Sequence, residues 1–222
     1  MTELSSAQII AISILPILFA ITLHEVAHGW VASQFGDQTA RLSGRLTLNP
    51  MKHIDLVGTI IVPMVMLVFS NFIFGWAKPV PVDARNMRNP RWNMAVVAAA
   101  GPLSNFAMAL LWAVIAKVGI ICVDTSPQIG VFLVYSGEVG VTVNIVLMVL
   151  NFLPLPPLDG SRVVASLLRG RLAWQFAQLE QFSFLIIILL IMTGVLSYII
   201  GPPIMMLRQC IFTIFGLPYL GL

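Results

Sequence analysis

The chain has 222 residues, of which 59% are hydrophobic and only 9% charged, and its mean hydropathy is +0.95. A soluble domain carries about 25% charged residues, so this chain lacks the polar surface that covers a globule in water. The net charge of +3 is a weak argument for a nucleic-acid partner, because excess Lys and Arg in so apolar a chain report membrane orientation.

Long apolar runs predict an all-α polytopic membrane protein. A membrane β-barrel needs alternating segments of about ten residues, and the sequence has none. With no internal repeat, low-complexity tract or appended soluble domain, residues 1–222 read as one integral-membrane domain.

The first apolar run covers residues 7–35. It reads as a retained helix rather than a cleavable signal, because residues 1–6 hold Glu3 and no Lys or Arg. Inside it lies "HEVAH", His24 to His28. Residues four apart on a helix stand one turn above each other, so both imidazoles can meet at one point. Zn²⁺ favours such nitrogen donors. Glu25 points about 100° away from His24 and can reach a water at the metal as general base, then carry the proton to the leaving amine. Three ionisable groups within five residues of a membrane helix are costly unless they share a partner.

The second run, residues 56–74, is barely long enough to span and contains Gly58 and Pro63. If it enters and leaves on one side as a re-entrant hairpin, ten of the twelve cations, all but Lys117 and Arg208, collect on one face. If it spans, they divide between the faces. The positive-inside rule favours the hairpin, and non-helical backbone at membrane depth is tolerated where protein covers it. Further spans are expected over residues 92–123, 139–153 and 176–200, making about four full transmembrane helices. Residues 203–215, with Arg208, read as an interfacial or partly buried helix. Cys122 and Cys210 fit no metal spacing and are expected as free, buried thiols.

A catalytic zinc usually has three protein ligands. His53 lies in a basic loop and reads as an interfacial histidine. Asp159 is the best candidate for the third ligand, in "NFLPLPPLDG", where Pro154, Pro156 and Pro157 unwind the chain and Gly160 permits close approach. The alternative for Asp159 is a helix N-cap. In the hairpin arrangement Asp159 emerges on the same side as the two histidines; in the spanning one it does not.

At these residues the sequence resembles the site-2 protease family of intramembrane zinc metalloproteases, specifically small bacterial members without a PDZ or CBS domain. The likeness runs in order through "HEVAH", "GWAKPVPV" (75–82), "AGPLSNF" (100–106) and "NFLPLPPLDG" (151–160). It implies one Zn²⁺ held by His24, His28 and Asp159, with Glu25 as catalytic base. It also implies that Asn151 binds substrate or stabilises the oxyanion; its alternative is a helix–helix hydrogen bond. For Asn105 the structural reading leads, with Gly101 permitting close helix packing. "GWAKPVPV" is expected as a short extended or β segment that pairs with an unwound substrate, or else as a surface loop anchored by Trp76 and Lys78. The implied substrate is a membrane protein or peptide with a transmembrane segment. The implied location is the bacterial inner membrane, with the site toward the cytoplasm. Two other functions compete: a metal transporter, disfavoured because the polar groups converge on one point, and a silent scaffold, disfavoured because no proposed catalytic position is substituted.

Overall fold

Ser5 caps the first helix: its hydroxyl accepts from the Gln8 N–H at 3.3 Å, while the Gln8 side chain accepts the Ser5 N–H at 2.9 Å. Two amides that the helix cannot satisfy internally are thereby paired at the start of an apolar run. That helix, α1 (Ser6–Gln34), opens a computed structural model that describes residues 5–62, 64 and 77–219. After it come α2 (Thr39–Leu42), a 3₁₀ turn at Pro50–Lys52 and a π-helical turn at Leu56–Ile61. The remaining helices are α3 (Pro90–Cys122), α4 (Pro127–Asn151), α5 (Asp159–Leu167), α6 (Gly170–Gln178), α7 (Ser183–Met192) and α8 (Val195–Phe215). Among the described residues, five stretches are long and apolar enough to cross a membrane: Ala7–Gln34, α3, α4, Gly170–Met192 and α8.

Helices α1, α3 and α4 form the centre. Packing there relies on small residues; a Cβ on Gly140 would stand 2.2 Å from the Trp112 ring. Lipid provides no hydrophobic drive between helices, so close backbone approach and dispersion supply the attraction. Contacts run in opposite order along the partners. Val97, Gly101 and Asn105 of α3 meet His28, then both histidines, then Ala20. Trp112, Ala116 and Gly119 likewise meet Gly140, Gly137 and Val134. Both α1 and α4 are therefore antiparallel to α3, and α1 ends where α3 begins. Of the predicted hairpin over 56–74, residues 63 and 65–74 lie outside the described residues. Residues 77–83 form irregular chain, and no strand occurs among the described residues.

One ion pair changes the expected span boundaries. Glu138 on α4 and Arg208 on α8 bond directly, and the Arg208 guanidinium lies 5.0 Å from the Phe212 ring centroid and 5.5 Å from that of Tyr219. Each charge alone is expensive in a membrane; together, and against aromatic faces, they are tolerable. Helix α4 therefore begins at Pro127, not near 139, and α8 is a continuous helix of membrane length despite Pro202 and Pro203. The stretch predicted over 176–200 is instead divided at Gly194, whose φ of 73° suits a residue without Cβ. Five membrane-length stretches thus occur among the described residues, where about four were expected. Both described cysteines are free, but neither is buried: Cys122 is half-buried and Cys210 is exposed on α8.

Candidate metal centre

His24 and His28 are buried on α1, one turn apart, with their rings edge to face at 4.7 Å between centroids. Their Nε2 atoms lie 3.1 Å apart. The buried Asp159, first residue of α5, puts Oδ2 3.2 Å from His24 Nε2 and 3.1 Å from His28 Nε2. Its preceding residue Leu158, not Asp159, occupies the N-cap position, so the carboxylate is free to face the histidines.

Local structure holds that carboxylate in place. Gly160 folds the chain back onto the end of α4 so closely that a Cβ would stand 2.4 Å from the carbonyl oxygens of Phe152 and Leu153. At the far end of α5, the Arg91 guanidinium at the start of α3 donates to the Ser166 carbonyl and, at 2.6 Å, to that of Leu168. The helix is clasped at both ends.

The other ring nitrogens are engaged as well. His28 Nδ1–H donates to the Val97 carbonyl at 2.7 Å, and His24 Nδ1–H donates to Asn105 Oδ1 at 2.6 Å. With those protons committed outward, both Nε2 lone pairs face inward, toward an anionic oxygen. Three electron-pair donors 3.1–3.2 Å apart repel unless positive charge sits among them. Tetrahedral donors around zinc stand about 3.3 Å apart, given bonds of about 2.0–2.1 Å, so the three fit one face of that coordination shell.

The shell has no room for a side chain from α3. A Cβ on Gly101 would stand 2.3 Å from His28 Nε2 and 2.7 Å from His24 Cε1. Gly101→Ala is expected to keep the helical fold, by circular dichroism, yet weaken zinc binding by more than the about 10–100-fold typical of outer-shell losses. Chelator competition measures this; unchanged affinity would show that the histidines do not point where they are drawn.

Beside the centre, half-buried Glu25 accepts the Val80 N–H at 2.7 Å through Oε2. The segment carrying Val80 is fixed on both sides. Lys78 N–H donates to the His53 carbonyl at 2.9 Å, and Arg45 Nη2 donates to the carbonyls of Lys78 and Pro79 at 2.7 and 3.3 Å. Asp37 anchors the following turn by accepting from the Asp83 N–H at 2.7 Å and from Asn86 Nδ2 at 3.1 Å. Burial raises the Asp37 carboxyl, but these donors and Thr39 outweigh it and keep it below its usual range.

Two further residues take definite places here. His53 is buried within the protein; its Nε2–H donates to the Thr47 carbonyl at 2.9 Å, shaping the loop that holds Lys78. Asn151 ends α4 with its Nδ2 donating to the Leu147 carbonyl at 3.0 Å, a bond within its own helix rather than between helices. The structure also recruits Asn105, Val97 and Gly101, which the sequence assigns at most to packing; an uncompensated amide on an apolar helix was the available signal for Asn105.

Known proteins resemble the chain in sequence. The chain is 34% identical over 211 residues to "Putative zinc metalloprotease YwhC" of Bacillus subtilis (strain 168), covering 91% of this chain and 90% of that protein. The chain belongs to this zinc metalloprotease family. It is also 29% identical over 184 residues to "Putative zinc metalloprotease Rip2" of Mycolicibacterium smegmatis, and 27% over 181 residues to the Mycobacterium tuberculosis H37Rv protein of that name. Each of these two matches covers 81% of this chain and 66% of the relative. No family model and no solved structure matches the chain. Zinc is thus the metal that membership implies, and His24, His28 and Asp159 are the group among the described residues able to hold it.

Proposed function

We propose that this metalloprotease is an intramembrane zinc endopeptidase of the site-2 protease type, cutting a transmembrane segment of a membrane protein. The observation that carries it is the convergence of His24, His28 and Asp159 within 3.2 Å, beside Glu25, with both histidines and Glu25 on a helix of membrane length. A transport path would instead need polar positions distributed across the bilayer.

His24, His28 and Asp159 hold the ion. When bound, zinc supplies a Lewis acid that polarises the scissile carbonyl and lowers the pKa of water toward about 7. Glu25 takes a proton from the attacking water as its oxygen bonds to the carbonyl carbon. As the C–N bond breaks, Glu25 delivers that proton to the leaving amine. The Val80 N–H holds one oxygen of Glu25 and so orients the carboxylate for both transfers. Asn151 turns its amide from Leu147 to donate to the developing oxyanion, which is worth most where water is excluded. Residues 77–82 offer backbone to an unwound, extended substrate, since a helical substrate hides its peptide bonds in its own hydrogen bonds. The cation-rich loops favour a site that faces the cytoplasm from a bacterial inner membrane.

The test is cleavage by purified protein in liposomes of a peptide with one transmembrane segment. Cleavage within that segment should stop with a zinc chelator and return when zinc is restored. Cleavage by metal-free protein, or zinc accumulating in the vesicles without any cleavage, would sink the proposal.

A further inference from the structure

Asn144 lies in none of the sequence motifs that mark the site, yet it is fully buried on α4, facing Asn105 on α3. Its Nδ2 donates to the Gly140 carbonyl at 2.8 Å. A carbonyl only accepts, so this bond fixes which end of the amide is which, and Asn144 Oδ1 is left as an acceptor. Asn105 Nδ2 fills that acceptor at 2.9 Å and also donates to the Ala20 carbonyl at 3.1 Å. Both amide protons of Asn105 are thereby used toward acceptors. Its Oδ1 must accept from its remaining neighbour, His24 Nδ1, at 2.6 Å.

We propose that Asn144 and Asn105 form a directed relay from the Gly140 and Ala20 carbonyls to His24, fixing the Nδ1–H tautomer and leaving Nε2 ready for the metal. Asn105 orients the ligand directly, and Asn144 is a positioning residue acting through it. The relay also binds α1, α3 and α4 at one level, so the helix preceding Asp159 is keyed to the helix that bears the histidines. It rests on the metal-centre reading above, and it adds a role for two amides that no ligand motif specifies. Groups that hydrogen-bond to ligating imidazoles tune affinity through orientation and tautomer.

Two readouts on the full chain test it. In metal-free protein labelled with ¹⁵N-histidine, wild-type His24 should show a single Nδ1–H form. Asn144→Leu keeps the branched side-chain shape but removes the acceptor, and should give mixed tautomers and about tenfold weaker zinc binding in chelator competition. At saturating zinc its KM for the liposome peptide should stay at the wild-type value. Asn144→Asp should restore both readouts, since a carboxyl kept neutral in the dry interior accepts from Asn105 and donates to Gly140. A role in packing alone would lower thermal stability without moving tautomer or zinc affinity.

The relay is overturned by an Nε2–H or mixed His24 in wild type, or by Asn144→Leu retaining both the single tautomer and wild-type affinity. If Asn144→Leu does not fold, wild-type NMR and Asn144→Asp decide alone. A wild-type chain that takes up no zinc would refute the metal-centre reading instead, with the His24 spectrum still reporting whether the relay runs as drawn.

Discussion

Glu25→Gln protein is expected to bind zinc as the wild type does and to cleave about 10²–10⁴-fold more slowly, the range that a positioned general base contributes. Glutamine has the shape of glutamate, and its Oε1 can still accept the Val80 N–H that now lies 2.7 Å from Glu25 Oε2. What it cannot do is take a proton from water and return it to an amine. The ligand atoms of His24, His28 and Asp159 do not involve Glu25, so metal content should not change. Zinc analysis and cleavage rates on one preparation separate the two effects. Wild-type rates in the variant would remove Glu25 from the mechanism; loss of zinc with the rate would make it a ligand or a structural prop.

The second large effect is expected at Asp159→Ala. An apparent binding free energy of about 10–16 kcal/mol, divided over four donors, gives about 2.5–4 kcal/mol each, or about 10²–10³-fold in affinity. Asp159 is also the only anion among the three donors, so the remaining pair lacks the negative charge that favours a dication. The fold should survive, because α5 is held elsewhere: Arg91 grips its C-terminal carbonyls and Gly160 seats its first turn on α4. Competition with a chelator, alongside circular dichroism, checks both halves. Wild-type affinity in the variant would mean that another group completes the centre.

The parts of this protein that could be read from sequence are those governed by short-range periodicity. His24 and His28 meet because four residues make one helical turn, and nothing in the fold can alter that. Asp159 was reachable through its broken, proline-rich setting, charge counting across the membrane and the family resemblance, and the structure puts it beside the histidines. Glu138 and Arg208 misled for a definite reason. Each looks like the end of a span when taken alone, and their 70-residue separation hides the bond that cancels the penalty. Asn105 and Asn144 were opaque for a similar reason. Their meaning lies in which groups they face, across 81 and 39 residues, and an amide advertises neither partner nor direction.

The contact on Glu25 is made by the main chain of residue 80, not by its side chain. Every amino acid except proline presents the same N–H. Replacing Val80 with other side chains therefore interrogates only the volume lying against Gly29, where a Cβ would meet Val80 Cγ1 at 2.8 Å. The hold on the base is transmitted through chain path alone. Side chains other than proline that fit against Gly29 leave the same grip in place, provided that Arg45 and the His53 carbonyl continue to dictate where the chain runs.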